Sequence, residues 1–213
     1  YTAFGDGSTL SNAIPGKVGG ANFTNSILVG HTTTGALSSA DGNTGVGIDS
    51  LDALTTGDGN TAVGYQSGSA EATGVENTYM GLNSGKISNG AYYNVGIGSN
   101  SLFFTSNSQR NTAIGWRSLM QLQGGHYNTA VGAESGKNVT GNRNITLGAN
   151  AGDNITSGDG NVILGMVDAD SATGDRQLKI AGHDGTTTTT WISGDSDGLL
   201  TITGGEVIPG KKE

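Results

Sequence analysis

From Ser26 to Gly165 one five-residue phrase occurs nine times, at seven intervals of 17 residues and one of 16, the short one between Asn128 and Asn144. The phrase is Asn-Thr-Ala-Val-Gly with small variations. It runs from a degenerate Ser26-Ile-Leu-Val-Gly30, through Asn60-Thr-Ala-Val-Gly64, to Asn161-Val-Ile-Leu-Gly165. A fixed period of this kind means stacked copies of one small unit, each contacting its neighbours, rather than a globular enzyme core. The unit is too short for a pair of helices and suits one coil of a parallel β-roll or β-solenoid, an all-β fold.

Counting the Asn as position 0 gives every coil a common frame. Position 0 is Asn43, Asn60, Asn77, Asn94, Asn111, Asn128, Asn144 and Asn161. Stacked amides of this kind satisfy one another along a column, with no chemistry required. Position 1 (Thr44, Thr61, Thr78, Val95, Thr112, Thr129) and position 3 (Val46, Val63, Met80, Ile97, Ile114, Val131) are β-branched or aliphatic. They predict a short strand with that face buried. Position 2, often Gly or Ala, points the opposite way and is expected to let a second surface come close. Position 4 is Gly in every copy: Gly47, Gly64, Gly81, Gly98, Gly115, Gly132, Gly148 and Gly165. That recurrence predicts a positive φ or a close backbone approach at each bend. Ser recurs at position 7, Leu and Gly alternate at position 8, and a second apolar spot follows at Leu54, Ile87, Phe104, Leu122, Val139 and Ile155. Polar turns such as Gly57-Asp-Gly59 and Gly158-Asp-Gly160 close the unit. Each coil therefore reads strand, bend, strand, turn.

Hydrophobic residues make up 33% of the 213, too few for one large continuous core. Such a composition also suits a disordered chain, but disorder gives no reason for apolar residues to keep a fixed register. Two aliphatic rows per coil are a thin core. Burial at about 25 cal/mol per Å² has to offset the ordering of many glycines. The expected remedy is self-association: three rolls packed through their Ala/Gly faces around one axis. A net charge of -8 without a Lys/Arg cluster argues against nucleic acid. With no cysteine there are neither disulfides nor thiolate metal sites. No apolar run reaches the roughly 18 residues of a membrane helix, and no signal peptide is visible, so no membrane insertion is expected. A start at Tyr1 rather than Met is expected of a fragment or processed product.

The phrase Asn-Thr-Ala-Val-Gly-x-x-Ser-Gly resembles the head repeats of trimeric autotransporter adhesins, which read Asn-Ser-x-Ala-Ile-Gly on a left-handed parallel β-roll. The repeat there is shorter, so the extra residues here are expected to lengthen the turns. The 17-residue form is more similar still to repeats in the tail fibres of tailed bacteriophages. Gln177-Leu-Lys-Ile-Ala-Gly-His183 and Trp191-Ile-Ser-Gly-Asp-Ser196 are similar to the segment that follows such repeats. In those fibres a self-cleaving chaperone domain often comes next, so Glu213 is expected as a mature, cleaved end. The resemblance covers about residues 26–200. It implies a homotrimeric fibre on a virion surface or in the extracellular space. Its expected partners are other fibre or particle proteins at the N-terminus and a host-surface glycan or protein.

Residues 1–25, with Phe4, Leu10, Ile14 and Phe23, are expected to form an N-terminal cap or joint. Residues 26–167 hold the repeats, and 168–213 are expected to form a β-rich C-terminal cap or tip ending in a loose tail from Pro209 to Glu213. No cofactor, catalytic group or metal site is expected. Asp168, Asp170, Asp195 and Asp197 read as turn residues, too few for a calcium loop. The Gly-Asp-Gly turns are similar to calcium-binding repeats but lack their nonapeptide period. His31, His126 and His183 fall at unrelated positions with no acid–base partner set by spacing. The candidate receptor-contact residues are aromatic: Tyr92, Tyr93, Phe103, Phe104, Trp116, His126 and Tyr127 in the middle coils, with His183 and Trp191 near the presumed tip. Aromatic side chains on a rod stack on sugar faces or anchor protein contacts. They also serve simply to fill turns or a subunit interface.

The functional expectation is a structural segment of a phage tail or head fibre that contributes to host-surface attachment. The alternative is the head of a bacterial trimeric adhesin. A polysaccharide-degrading spike would need paired carboxylates in a groove, and the repeats offer no recurring pair. An ice-binding solenoid would need ranks of exposed Thr, whereas the Thr column is expected to point inward with the aliphatic one.

Overall fold

The computed structural model describes residues 16–18, 23–30 and 36–203, which contain strands and turns but no helix. The expectations on residues 1–15, on His31 and on the tail from Pro209 to Glu213 lie outside the described residues. The strands are β1 (Gly16–Val18), β2 (Phe23–Thr24), β3 (Ile27–Val29), β4 (Ala40–Asp41), β5 (Thr44–Val46), β6 (Thr61–Val63), β7 (Thr78–Met80), β8 (Val95–Ile97), β9 (Thr112–Ile114), β10 (Thr129–Val131), β11 (Ile145–Leu147), β12 (Val162–Leu164), β13 (Leu178–His183), β14 (Thr188–Gly194) and β15 (Leu200–Ile202). All but β2 and β4 join one 13-stranded sheet. From β3 to β13 every pairing in that sheet is parallel, and each residue lies beside its equivalent in the next coil: Thr61 beside Thr78, Ala62 beside Tyr79, Val63 beside Met80. The chain is a parallel β-solenoid, as its period predicts. At about 4.8 Å per rung the stack from β3 to β13 is roughly 40 Å long.

From β6 to β12 each coil carries one regular three-residue strand rather than the two expected; among the described residues a second strand occurs only as the two-residue β2 and β4, which pair in parallel in the first described coils. The remaining sides are turns, touched by isolated bridges along Val75, Tyr92, Gln109 and His126 and between Ile87 and Phe104.

The strand phase is the reverse of the expectation. Position 2 is buried in every coil, as at Leu28, Ala62, Tyr79, Ala113, Ala130 and Ile163. Position 3 faces solvent, and Val46, Met80, Ile97, Ile114, Val131 and Leu147 are each exposed by 38–42%. Position 1 lies half-buried on the same outer face. The Ala/Gly row is therefore the inside of the coil and offers nothing for a second chain to pack on. The cause is position 0. A strand alternates with period two, so positions 0 and 2 share a face. The Asn column needs the interior because its amides bond to one another and to backbone. Asn111 shows the pattern. Its backbone N–H and its Nδ2 donate to Asn94 Oδ1 at 3.0 and 2.9 Å, and its Nδ2 also reaches the Gly125 carbonyl at 2.9 Å. Ser26 Oγ starts this ladder by accepting from the Asn43 N–H, and Gln177 ends it by donating twice to Asn161 Oδ1. The coil stack thus runs on past residue 167. A second internal ladder joins each position-7 Ser hydroxyl to the position-2 carbonyl of the next coil, from Ser50 to Ala62 through to Ser135 and Thr146.

Core volume is shared within and between neighbouring coils. Leu at position 8 stands with a small position 2: Gly45 with Leu51, Gly96 with Leu102, Ala113 with Leu119. Ala62 with Gly68 and Ala130 with Gly136 are small at both places, and there Leu51 and Tyr79, or Leu119 and Thr146, of the adjoining coils fill the room. Where position 2 is large, position 8 is Gly: Tyr79 with Gly85, Thr146 with Gly152. A Cβ on Gly85 would stand 2.5 Å from the Tyr79 ring. Position 8 adopts a left-handed φ in both cases, 55° at Leu51 and 59° at Gly85. Position 11 completes the core with Leu54, Glu71, Ser88, Thr105, Leu122, Val139 and Ile155, all fully buried. Ile87 and Phe104, assigned by sequence to this apolar column, sit one place earlier and face outward, with Ser88 and Thr105 in the inner slots. The position-4 glycines meet the expectation made of them. Gly81 has φ 133°, and a Cβ there would lie 2.7 Å from the Gly98 backbone.

β14 and β15 close the C-terminal end by antiparallel pairing on β13. Asp184 Oδ1 accepts from the N–H groups of Thr187 and Thr186, which tie the β13–β14 turn and lower its pKa to about 2.

Candidate functional site

The solenoid turns one long face outward. Its centre is the position-1 and position-3 columns, and beside it runs position 5, where Ile48, Tyr65, Leu82 and Trp116 are about half exposed. An in-register sheet makes this face regular, since each column repeats at the strand spacing. The face is roughly 40 Å by 10 Å for three-residue strands, and its aliphatic position-3 column runs unbroken beside the position-1 threonines, a continuous outward stripe of the kind that marks a contact surface.

The candidate aromatic residues do not form one patch. Tyr93 and Tyr127 stand at position -1, the residue before the Asn, in the coils on either side of Arg110. Position -1 takes a left-handed φ at Tyr93 (60°), Arg110 (55°), Tyr127 (61°) and Arg143 (57°). A shared backbone conformation launches these side chains in one direction, so they stack along the rod. The Arg110 guanidinium lies 5.0 Å from the Tyr93 ring centre and 5.5 Å from that of Tyr127, and Arg143 lies 5.6 Å from Tyr127. Arg110 Nη1 also donates to Tyr127 Oη at 3.1 Å. Tyr92 and His126 occupy the neighbouring column, position -2. There the His126 Nδ1 accepts from the Gln109 N–H at 3.1 Å, and the His126 N–H donates to Asn142 Oδ1. Asp58 and Asp159 hold the same position and accept from Asp41 N–H and Asn142 N–H. His126 is thus a member of an outer hydrogen-bond ladder, and the Gly-Asp-Gly carboxylates serve the same ladder.

Phe103 and Phe104 pack edge to face at 4.8 Å on another corner, with Lys86 5.8 Å from the Phe103 ring. Trp116 belongs to the position-5 ridge, covered by Arg117 at 5.1 Å, which itself pairs with Glu134 at 2.7 Å. His183 and Trp191 are on the terminal hairpin. His183 Nδ1 lies 3.0 Å from Thr188 Oγ1, and Trp191 lies so close over Gly182 that a Cβ there would stand 2.5 Å from its ring. Together with Asp184, Thr187 and Thr189 they line a surface hollow of about 340 Å³.

Sequence reading missed two carboxyl sites. Asp153 and Asp168, fifteen residues apart, meet at a hollow of about 370 Å³ also lined by Asn150, Met166, Val167 and Thr188. Burial, followed by the Asp168 charge, raises the Asp153 carboxyl above its ordinary range. No spacing rule exposes this pair, because the coil joining them departs from the regular 17-residue turn. The second is Glu71, fully buried at position 11. Its Oε1 accepts from the Gly74 and Gly90 N–H groups at 2.7 and 3.0 Å, while Oε2 and the nearby Tyr79 hydroxyl have no partner. Burial pushes its pKa up, and burial with the Glu71 charge pushes Tyr79 well up. A Glu interrupting an apolar column was the available signal. Among the described residues no group of three His, Cys, Asp or Glu side chains is placed to hold a metal ion, and no helix is long and apolar enough to cross a membrane. Comparisons with protein-family models, with curated proteins and with solved structures give no match.

Proposed function

We propose that this chain is a rod-forming structural segment of a surface-attachment fibre, and that three copies associate through the outer sheet face. The observation that carries the reading is the outward column Val46, Met80, Ile97, Ile114, Val131 and Leu147, with Val63 and Leu164 half-buried in it, on an unbroken parallel sheet. Burying such a column supplies the apolar contact that a thin coil lacks on its own. The resemblance of the Asn-Thr-Ala-Val-Gly repeats to trimeric fibres supplies the number three. It also points to a phage tail or head fibre, with an adhesin head as the alternative and a host-surface glycan or protein as partner. The contact face differs from the one composition suggests, because the Ala/Gly row lies inside each coil. Light scattering after size exclusion tests the reading directly. A mass of three chains supports it, and a folded single chain at all concentrations sinks it.

A second reading draws on the same face. Thr44, Thr61 and Thr78, then Thr112 and Thr129 beyond Val95, stand on the outer face at the strand spacing. That removes the objection to an ice-binding solenoid, which needs outward Thr ranks. Thermal hysteresis and arrest of ice recrystallisation by the purified chain would support this second use, and ordinary ice growth would rule it out.

A further inference from the structure

Position -1 reads Tyr93, Arg110, Tyr127, Arg143, Gly160 and Arg176 through six successive coils. The guanidiniums fall on every second coil, so they repeat at about 10 Å along the rod, twice the strand spacing. The chain has four arginines in all and a net charge of -8, yet three of the four stand in this one column, with Asp159 and Asp175 in the column beside its C-terminal half and neutral Tyr92, Gln109, His126 and Asn142 beside Tyr93 to Arg143. All three are exposed, and none has a carboxylate ion-pair partner among the described residues. Tyr93 before Arg110 and Tyr127 between Arg110 and Arg143 hold these two guanidiniums by their ring faces. A guanidinium held by its face keeps in-plane N–H donors for a planar anion; Arg110 engages Tyr127 Oη through Nη1, which leaves its Nη2 and Nε for such an anion. The rings of Tyr93 and Tyr127 are themselves 44% and 48% exposed.

From this geometry we infer that the position-(-1) column is a binding track for an extended acidic polysaccharide bearing one carboxylate per disaccharide. Two coils match the length of one disaccharide unit. Each carboxylate would meet an arginine fork, the intervening sugar would lie along the exposed edge of Tyr127 between Arg110 and Arg143, and Gly160 would leave open room for it between Arg143 and Arg176. Single-stranded nucleic acid fits less well. It presents a charge about every 3.4 Å of rise in a stacked strand, three times as dense as the arginines and unfavourable beside a net-acidic chain. The inference deepens the surface-attachment reading and rests on it for biological meaning, but the track is built within a single chain.

The test uses hyaluronan as the acidic probe, neutral dextran as control and a thymidine oligonucleotide as rival ligand, with binding and light-scattering mass measured on the same samples. The wild-type chain is expected to bind hyaluronan in preference to both others, with an affinity that falls as salt rises. Arg110→Gln with Arg143→Gln should weaken hyaluronan binding about tenfold or more, with mass and circular dichroism unchanged. Tyr127→Ala should weaken it less. The inference is overturned if the wild-type chain shows no preference for hyaluronan or binds the oligonucleotide more tightly. It is equally overturned if the double variant binds as the wild type does, or if the double variant changes the mass, since the column would then serve subunit contact. A trimer that ignores hyaluronan leaves the fibre reading standing without the track. A monomer whose hyaluronan binding depends on the arginines leaves the track standing without the trimer.

Discussion

At the scale of single residues, Glu71 is the fully buried carboxyl of the described core. Its raised pKa has a definite sign for stability. In the window above the ordinary carboxyl value of 4.5, the folded chain keeps a proton that the unfolded chain releases. Stability is therefore highest below that value and falls as pH rises through the window. Glu71→Gln keeps an acceptor for the Gly74 and Gly90 N–H groups and removes the charge. It should stabilise the chain at neutral pH by about 1–2 kcal/mol and have little effect well below pH 4.5. Thermal unfolding of both forms across pH checks this, and a difference that ignores pH would contradict it. The Tyr79 and Gly85 pair gives a second prediction at this scale. Gly85→Leu alone should destabilise by about 3 kcal/mol or more through overpacking, and Tyr79→Gly alone should leave a cavity of similar effect. The double variant reproduces the Gly96 and Leu102 coil, so the two changes should offset each other by more than about 1 kcal/mol in a double-mutant cycle. Strict additivity in urea unfolding would refute volume compensation.

At the scale of the coil, stability comes from ladders of polar groups as much as from apolar packing. Asn111→Ala removes the acceptor for the Asn128 N–H and Nδ2; it strands the buried N–H and leaves Nδ2 with its bond to the Gly141 carbonyl. It should cost about 1–3 kcal/mol, the range for leaving a buried donor unpaired. Asn43→Ser at the ladder's start should cost less, about 1 kcal/mol, because the new hydroxyl can accept from the Asn60 N–H as Ser26 does from Asn43, while the Gly57 carbonyl loses its donor. Equal losses in the two variants, measured by denaturant unfolding, would argue against a directional ladder. The period, the coil length, the Asn column and the strained Gly column were legible in the sequence, since each recurs at a fixed position. The strand phase was not. Alternation states which residues share a face but not which face is inside. The usual preference for aliphatic residues in the core pointed the wrong way, because the Asn amides claim the interior. The Tyr-Arg column was hidden for another reason. Its members are 16 or 17 residues apart and form a pattern only once the coils are stacked. Tyr92 and Tyr93 look like a pair in sequence yet belong to different columns.

At the scale of the whole molecule, an outward aliphatic face and a sheet capped by β14 and β15 describe a rod with one contact side. Ile114 and Val131 sit at its centre, exposed in the single chain, so charging them should disturb association and not folding. Ile114→Glu with Val131→Glu is expected to keep the strand circular dichroism and lose the partners. The decisive measurement is the solution mass of the wild-type chain beside that variant. The account predicts three chains of 21.3 kDa for the wild type and one for the variant. A wild type that stays at 21.3 kDa at every concentration, or a variant that remains assembled, would contradict it.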